Sequence, residues 1–84
     1  MKPIRLTKHA EAQCSERGAS QAEVGVAIER GAREPAKLGR TLCRFNFKYN
    51  SLWQSKRYAI KQVAPVIIEE PDEIVVITVY TFYF

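Results

Sequence analysis

The sequence predicts an α+β fold: two N-terminal helices packed on one face of a three- to four-stranded antiparallel sheet. Three observations carry this. Apolar residues in the first third recur at helical spacing between cap residues and glycines. From Thr41 onward the apolar period shortens to two. Finally, Glu73–Phe84 reads EIVVITVYTFYF, almost all β-branched or aromatic and free of Gly and Pro. Such side chains are stiff at χ1 and suit a pleated backbone, and a run apolar on both faces reads as an interior strand.

The elements follow in order. Ile4-Arg5-Leu6 is a short extended entry. Thr7 is placed to cap a helix from about Lys8 to Arg17, with Ala10 and Cys14 forming a thin buried stripe and Gly18 at the left-handed C-terminal position. Ser20 and Glu23 make a capping box for a second helix, whose stripe of Val24, Ala27 and Ile28 must pack on something before Gly31 ends it. These helices form a pair over residues 7–31. Residues 32–40 contain Pro and Gly and read as a loop. From Thr41 to Tyr49, Cys43, Phe45, Phe47 and Tyr49 point one way, and Leu42, Arg44, Asn46 and Lys48 the other. Asn50 to Ser55 reads as a turn or wide hairpin loop. Lys56–Glu69 is a second long extended segment, in which Pro65 predicts a bulge or an edge. Pro71 suits a tight turn before the last strand. The sheet thus occupies residues 41–84, within a single domain spanning 1–84.

Composition narrows the function classes. The 84 residues are 46% hydrophobic, enough for a core. The formal charge of +4 permits a phosphate-bearing or acidic partner without requiring one. The N-terminus lacks the apolar stretch of a signal peptide, and nothing approaches the roughly 18 apolar residues of a membrane span. A cytoplasmic location is expected, with no membrane association. There Cys14 and Cys43 stay reduced and act as small buried hydrophobes. One His and two widely spaced Cys argue against a zinc site, and no metal or other cofactor is expected.

Several side chains are candidates for chemistry. His9, the only histidine, is the only side chain whose ordinary pKa lies near neutrality, and it falls in the first helical turn beside the buried stripe. Arg17 closes that helix. Arg44 and Lys48 share a strand face, Lys61 lies on the second long strand, and Thr78 and Tyr80 share a face of the last. On one open face these would form a cationic and phenolic pocket without carboxylates, suited to a phosphodiester. RNA cleavage without a metal needs a base for the 2′-hydroxyl, an acid for the leaving oxygen and cations for the phosphorane. Trp53, near Tyr49 and Tyr58, is a candidate base-stacking residue. Each has a plainer alternative: a boundary histidine, a helix-capping arginine, a solvated basic strand face, an aromatic plug at the hairpin end. Register decides among them, since a one-residue slip exchanges the faces.

The stretches Leu6-Thr7-Lys8-His9-Ala10 and Glu16-Arg17-Gly18-Ala19-Ser20, together with Glu73–Tyr80, resemble the two ends of a widespread family of small bacterial proteins catalogued as a domain of unknown function. That family resembles, at fold level, the toxin ribonucleases of the RelE and BrnT type. The resemblance implies metal-independent endoribonuclease activity held in check by an antitoxin. It places the helix histidine at His9, the Glu-Arg-Gly turn at Glu16, Arg17 and Gly18, the strand basic residue at Arg44 and the terminal Thr-x-Tyr at Thr78 and Tyr80. Lys61 is added from strand phasing, and Lys48 and Trp53 as RNA contacts. The expected partners are RNA and a cognate antitoxin. The competing expectation is a non-catalytic protein-binding module, or a homodimer, using the open sheet face and the aromatic last strand.

Overall fold

The computed structural model describes residues 2–84. The two helices form where their caps predict. α1 (Lys8–Arg17) starts at Thr7, whose hydroxyl accepts from the Ala10 amide at 3.1 Å, and ends at Gly18 with φ 77°. α2 (Gln21–Arg30) begins with the complete Ser20–Glu23 capping box. It ends at Gly31, a position that only glycine fits, since a Cβ there would lie 2.4 Å from the Ala27 carbonyl oxygen and 2.6 Å from that of Arg44.

The sheet has five strands: β1 (Ile4–Leu6), β2 (Ala32–Pro35), β3 (Thr41–Trp53), β4 (Lys56–Glu69) and β5 (Ile74–Tyr83), in the order β1-β5-β4-β3-β2. It is mixed, because β1 runs parallel to β5 while the other pairs are antiparallel. The expectation of three or four antiparallel strands is corrected by the two short edge strands. β1 has three residues, too few to display a period. β2 is Ala-Arg-Glu-Pro, all exposed, so no apolar alternation betrays it within the predicted loop. The last strand lies between β1 and β4 as an interior strand should, but its expected cover on both faces fails in the C-terminal half, where Tyr80 and Phe82 are exposed.

β3 also continues past its predicted end. A bulge between Lys48 and Ser51 takes up Asn50 at φ 45°, and the strand then runs to a two-residue turn at Gln54 and Ser55, with φ 50° and 70°. Pro65 sits on central β4, and a register shift with β5 follows directly, between Val66 and Ile67.

The core lies between the helices and one sheet face. Ala10, Cys14, Val24 and Ile28 meet Cys43, Val63, Ile67, Ile74, Val76 and Val79, all buried. Arg33 on β2 closes the end of α2 by donating to the Ile28 carbonyl at 2.9 Å. Among the described residues no α-helix covers the other sheet face, which is bordered by a short 3-10 turn at Lys37–Gly39. Among the described residues no helix is long and apolar enough to cross a membrane.

Candidate active site on the open sheet face

The β4–β5 shift builds this face. Thr78 pairs with Val66, whereas Val76 pairs with Ile67, so Ile77 is the extra residue. Val76 and Val79 can therefore both be buried in the core, while Thr78 and Tyr80 turn outward. Three rows result. Leu42, Val66 and Thr78 form one, Asn46, Gln62 and Phe82 another, and Arg44 lies between them with Ala64 and Tyr80.

β1 covers β5 only as far as Val76, and α1 takes over that edge. The Thr7 hydroxyl donates to the Ile77 carbonyl at 3.2 Å and Arg17 Nη1 donates to the Val79 carbonyl at 2.9 Å, satisfying edge groups that would otherwise invite another strand. This seating brings His9 Nε2 to 3.3 Å from Thr78 Oγ1. Either the ring N–H donates to the hydroxyl or the hydroxyl donates to the bare nitrogen, according to tautomer. The Arg17 guanidinium lies 5.5 Å from the centroid of the Tyr80 ring. His9, Arg17, Thr78 and Tyr80 are thus neighbours, drawn from opposite ends of the sequence.

Beside them is a cleft of about 460 Å³ lined by Thr78 and Tyr80, by Leu42 and Val66, and by Lys37 and Arg40 with their neighbours Pro35 and Ala36. Its lining holds two cations and two hydroxyl groups and no carboxylate. Lys37 and Arg40 were missed in the sequence because residues 31–40 read only as a loop. That loop is sharply shaped. Leu38 and Gly39 both take left-handed conformations (φ 62° and 72°), and the Ala36 amide donates to the Arg40 carbonyl at 2.8 Å. Left-handed backbone at an exposed leucine is uncommon and tends to mark functional turns. A basic residue on each side of Leu38-Gly39 was the available signal. Arg40 Nε is buried and has no acceptor among the described residues, an unusual state for a charged donor.

Arg44 occupies the middle row. Its Nη1 donates to Gln62 Oε1 at 3.0 Å, and its Nε and Nη2 donate to Glu34 Oε1 at 3.3 and 3.2 Å. The Glu34 contact is half-exposed and contributes little to stability. Gln62 in turn donates to Asn46 Oδ1 at 2.8 Å. Lys48 is exposed on the same face, further along β3.

Two sequence candidates stand elsewhere. Lys61 pairs with Phe47 and Tyr83 on the helix-covered face, which corrects the expectation that it joins Arg44. It is 7% exposed, and its ammonium donates to Glu23 Oε1 and to the Gly18 carbonyl, both at 2.9 Å. Trp53 stacks on Tyr83 at 4.7 Å with planes 12° apart, and the Tyr83 hydroxyl donates to the Arg17 carbonyl at 2.6 Å. Burial pushes the Tyr83 phenol up to about 12, with Tyr49 and Glu23 adding to the effect. Trp53 and its neighbours therefore close the end of the core, apart from the cleft. Cys14 and Cys43 are buried free thiols, and burial raises both, which disfavours the reactive thiolate.

Comparison with protein-family models, with curated proteins and with solved structures finds no match.

Proposed function

We propose that the protein is a toxin-like endoribonuclease that cleaves RNA without a metal ion, at the cleft bordered by His9, Thr78 and Tyr80. The observation that carries the reading is the imidazole within hydrogen-bond reach of Thr78 at the margin of a carboxylate-free, dibasic cleft. A phosphodiester fits such a lining because Lys37 and Arg40 offer positive charge beside the Thr78 and Tyr80 hydroxyls.

In this reading neutral His9 takes the proton from the ribose 2′-hydroxyl, with the Thr78 hydroxyl holding the ring in place. The 2′-oxygen bonds to phosphorus, the P–O5′ bond breaks, and a 2′,3′-cyclic phosphate and a 5′-hydroxyl result. Tyr80 supplies the proton that the 5′-oxygen gains, and solvent returns both side chains to their starting states. Lys37 and Arg40 stabilise the extra negative charge of the phosphorane. Arg44, one row further along the face, holds a neighbouring phosphate if it releases Glu34. Arg17 positions Tyr80 through its contact with the ring and its bond to β5. An antitoxin that covers this face would silence the site.

The test is incubation of mixed-sequence RNA with purified protein in excess EDTA. Wild type is expected to cleave and leave cyclic phosphate ends, and His9→Ala and Arg40→Ala are expected to lose cleavage while melting near the wild-type temperature. Well-folded wild type that leaves RNA intact, both free and on ribosomes, would sink the proposal.

A further inference from the structure

The cleft accounts for Tyr80 but not for the exposed aromatic side chains that follow it. Tyr80, Phe82 and Phe84 are 44%, 44% and 57% exposed. They recur at every second position of the strand, about 7 Å apart along one face. The Tyr80 and Phe82 rings are close to parallel, with planes 19° apart and centroids 6.4 Å apart. Each carries a guanidinium: Arg17 at Tyr80, and Arg44 5.8 Å from the Phe82 centroid. Asn46 is exposed at the end of the Phe82 row, with its carbonyl oxygen engaged by Gln62 and its amide N–H groups left to donate outward.

A small domain gains nothing in stability from leaving three aromatics in water. Charge decides what covers them. Arg44, Lys48, Lys37 and Arg40 border these rows, and among the described residues Glu34 is the one carboxylate hydrogen-bonded to any of them. An apolar protein surface laid here would offer Lys37, Lys48 and Arg40 no acidic partner, which is costly. A polyanion with flat π-faces satisfies the rings and the cations together.

We infer that Phe82, flanked by the Tyr80 ring, forms a stacking shelf for an unpaired nucleobase, one row beyond Tyr80, which lines the cleft that would hold the adjoining phosphate. The inference rests on the ribonuclease reading and sets its substrate class: single-stranded RNA, since a base inside a duplex has no free face to offer. Phe82 carries the stack and the Asn46 amide donates to the base edge. Arg44 serves both the ring and the backbone.

The test is fluorescence anisotropy with a 2′-O-methyl oligonucleotide, which cannot be cleaved for want of a 2′-hydroxyl. Its duplex and a strand of equal length carrying abasic sites serve as comparisons. Wild type is expected to bind the intact single strand about tenfold more tightly than the abasic one, the scale of one base–aromatic stack. Phe82→Ala and Phe82→Leu are expected to erase that preference and leave abasic binding unchanged, while Phe82→Trp retains it. Equal binding of intact and abasic strands, or a Phe82→Leu protein that binds as wild type, overturns the shelf even where EDTA-resistant cleavage persists. Failure to bind any of the three, with no cleavage, overturns the shelf and the ribonuclease reading together. A wild-type dimer in light scattering that Phe82→Ala converts to monomer assigns the aromatics to self-association and overturns the shelf alone.

Discussion

Lys61→Met removes one ammonium from the interior and keeps the length of the side chain. In the native protein that ammonium donates to Glu23 and to the Gly18 carbonyl and lies 5.4 Å from the Tyr49 ring. The Lys61 side chain is 9% exposed and that of Glu23 23%, so this pair is largely removed from water. Breaking a fully buried pair from one side costs about 3–5 kcal/mol, and an exposed one about 0–1. Glu23 keeps some water and still accepts from the Ser20 amide. The expected loss is therefore about 2–3 kcal/mol, between the exposed and the fully buried cases. For a domain of this size each kcal/mol moves the Tm by about 4–8 °C, so thermal melting followed by circular dichroism should register a fall of about 8–24 °C. Lys61→Met with Glu23→Gln should recover part of that loss, because the stranded carboxylate is neutralised. An unchanged Tm in Lys61→Met would refute the argument. An unchanged Tm with cleavage abolished would return Lys61 to the chemistry, where strand phasing first placed it.

Other perturbations report on separate features. Gly18→Ala puts a Cβ 2.7 Å from Trp53 Cζ3 and from the Tyr83 hydroxyl oxygen, at φ 77°. The left-handed backbone alone costs about 1–2 kcal/mol and the clash adds to it, so the urea midpoint should fall markedly. Replacing Gln54-Ser55 by Asn-Gly supplies residues that favour positive φ at both turn positions and should raise stability by about 1 kcal/mol in the same assay. Tyr83 has a folded-state pKa of about 12 against an ordinary 10.0. Its contribution is present in full below pH 10 and is lost as pH rises through the folded value. The Tm of wild type should therefore drop more steeply than that of Tyr83→Phe above pH 10, and parallel curves would disprove the linkage.

The helices were legible because capping is local. Thr7, Ser20 with Glu23 and Gly18 act within a few residues of themselves, and no distant partner can overrule them. β5 was legible because its residues are apolar on both faces. The missed strands lack that signal. β1 is too short, and β2 borrows its pairing wholly from β3. The hairpin turn was obscured because Gln54-Ser55 carries none of the usual turn chemistry, and Asn50, which does, marks a bulge instead. In the site, strand alternation paired Thr78 with Tyr80 and, separately, Arg44 with Lys48, and it is the register of β3, β4 and β5 that puts the two pairs on one open face. Lys61 did not follow, since alternation fixes relative facing within a strand and says nothing between strands. The approach of His9 to Thr78 depends on α1 lying along the β5 edge, a tertiary fact. Lys37 and Arg40 became visible only once the 36–40 loop was seen to fold over Leu42 and Val66.

The pairing of β1 with β5 bears on when the protein can act. Thr7 and Ile77 are 70 residues apart in sequence, and His9 and Thr78 are 69. Contacts of such separation carry the largest loop-closure entropy and slow folding, so α1 is expected to reach its final seat late. The β3–β4 hairpin and α2 can associate earlier, but none of these holds a complete site. A chain still emerging during translation has its histidine long before it has the hydroxyls that histidine meets. On the proposed function, a half-made molecule is harmless, and activity arrives in a single late step when the last strand docks between β1 and β4.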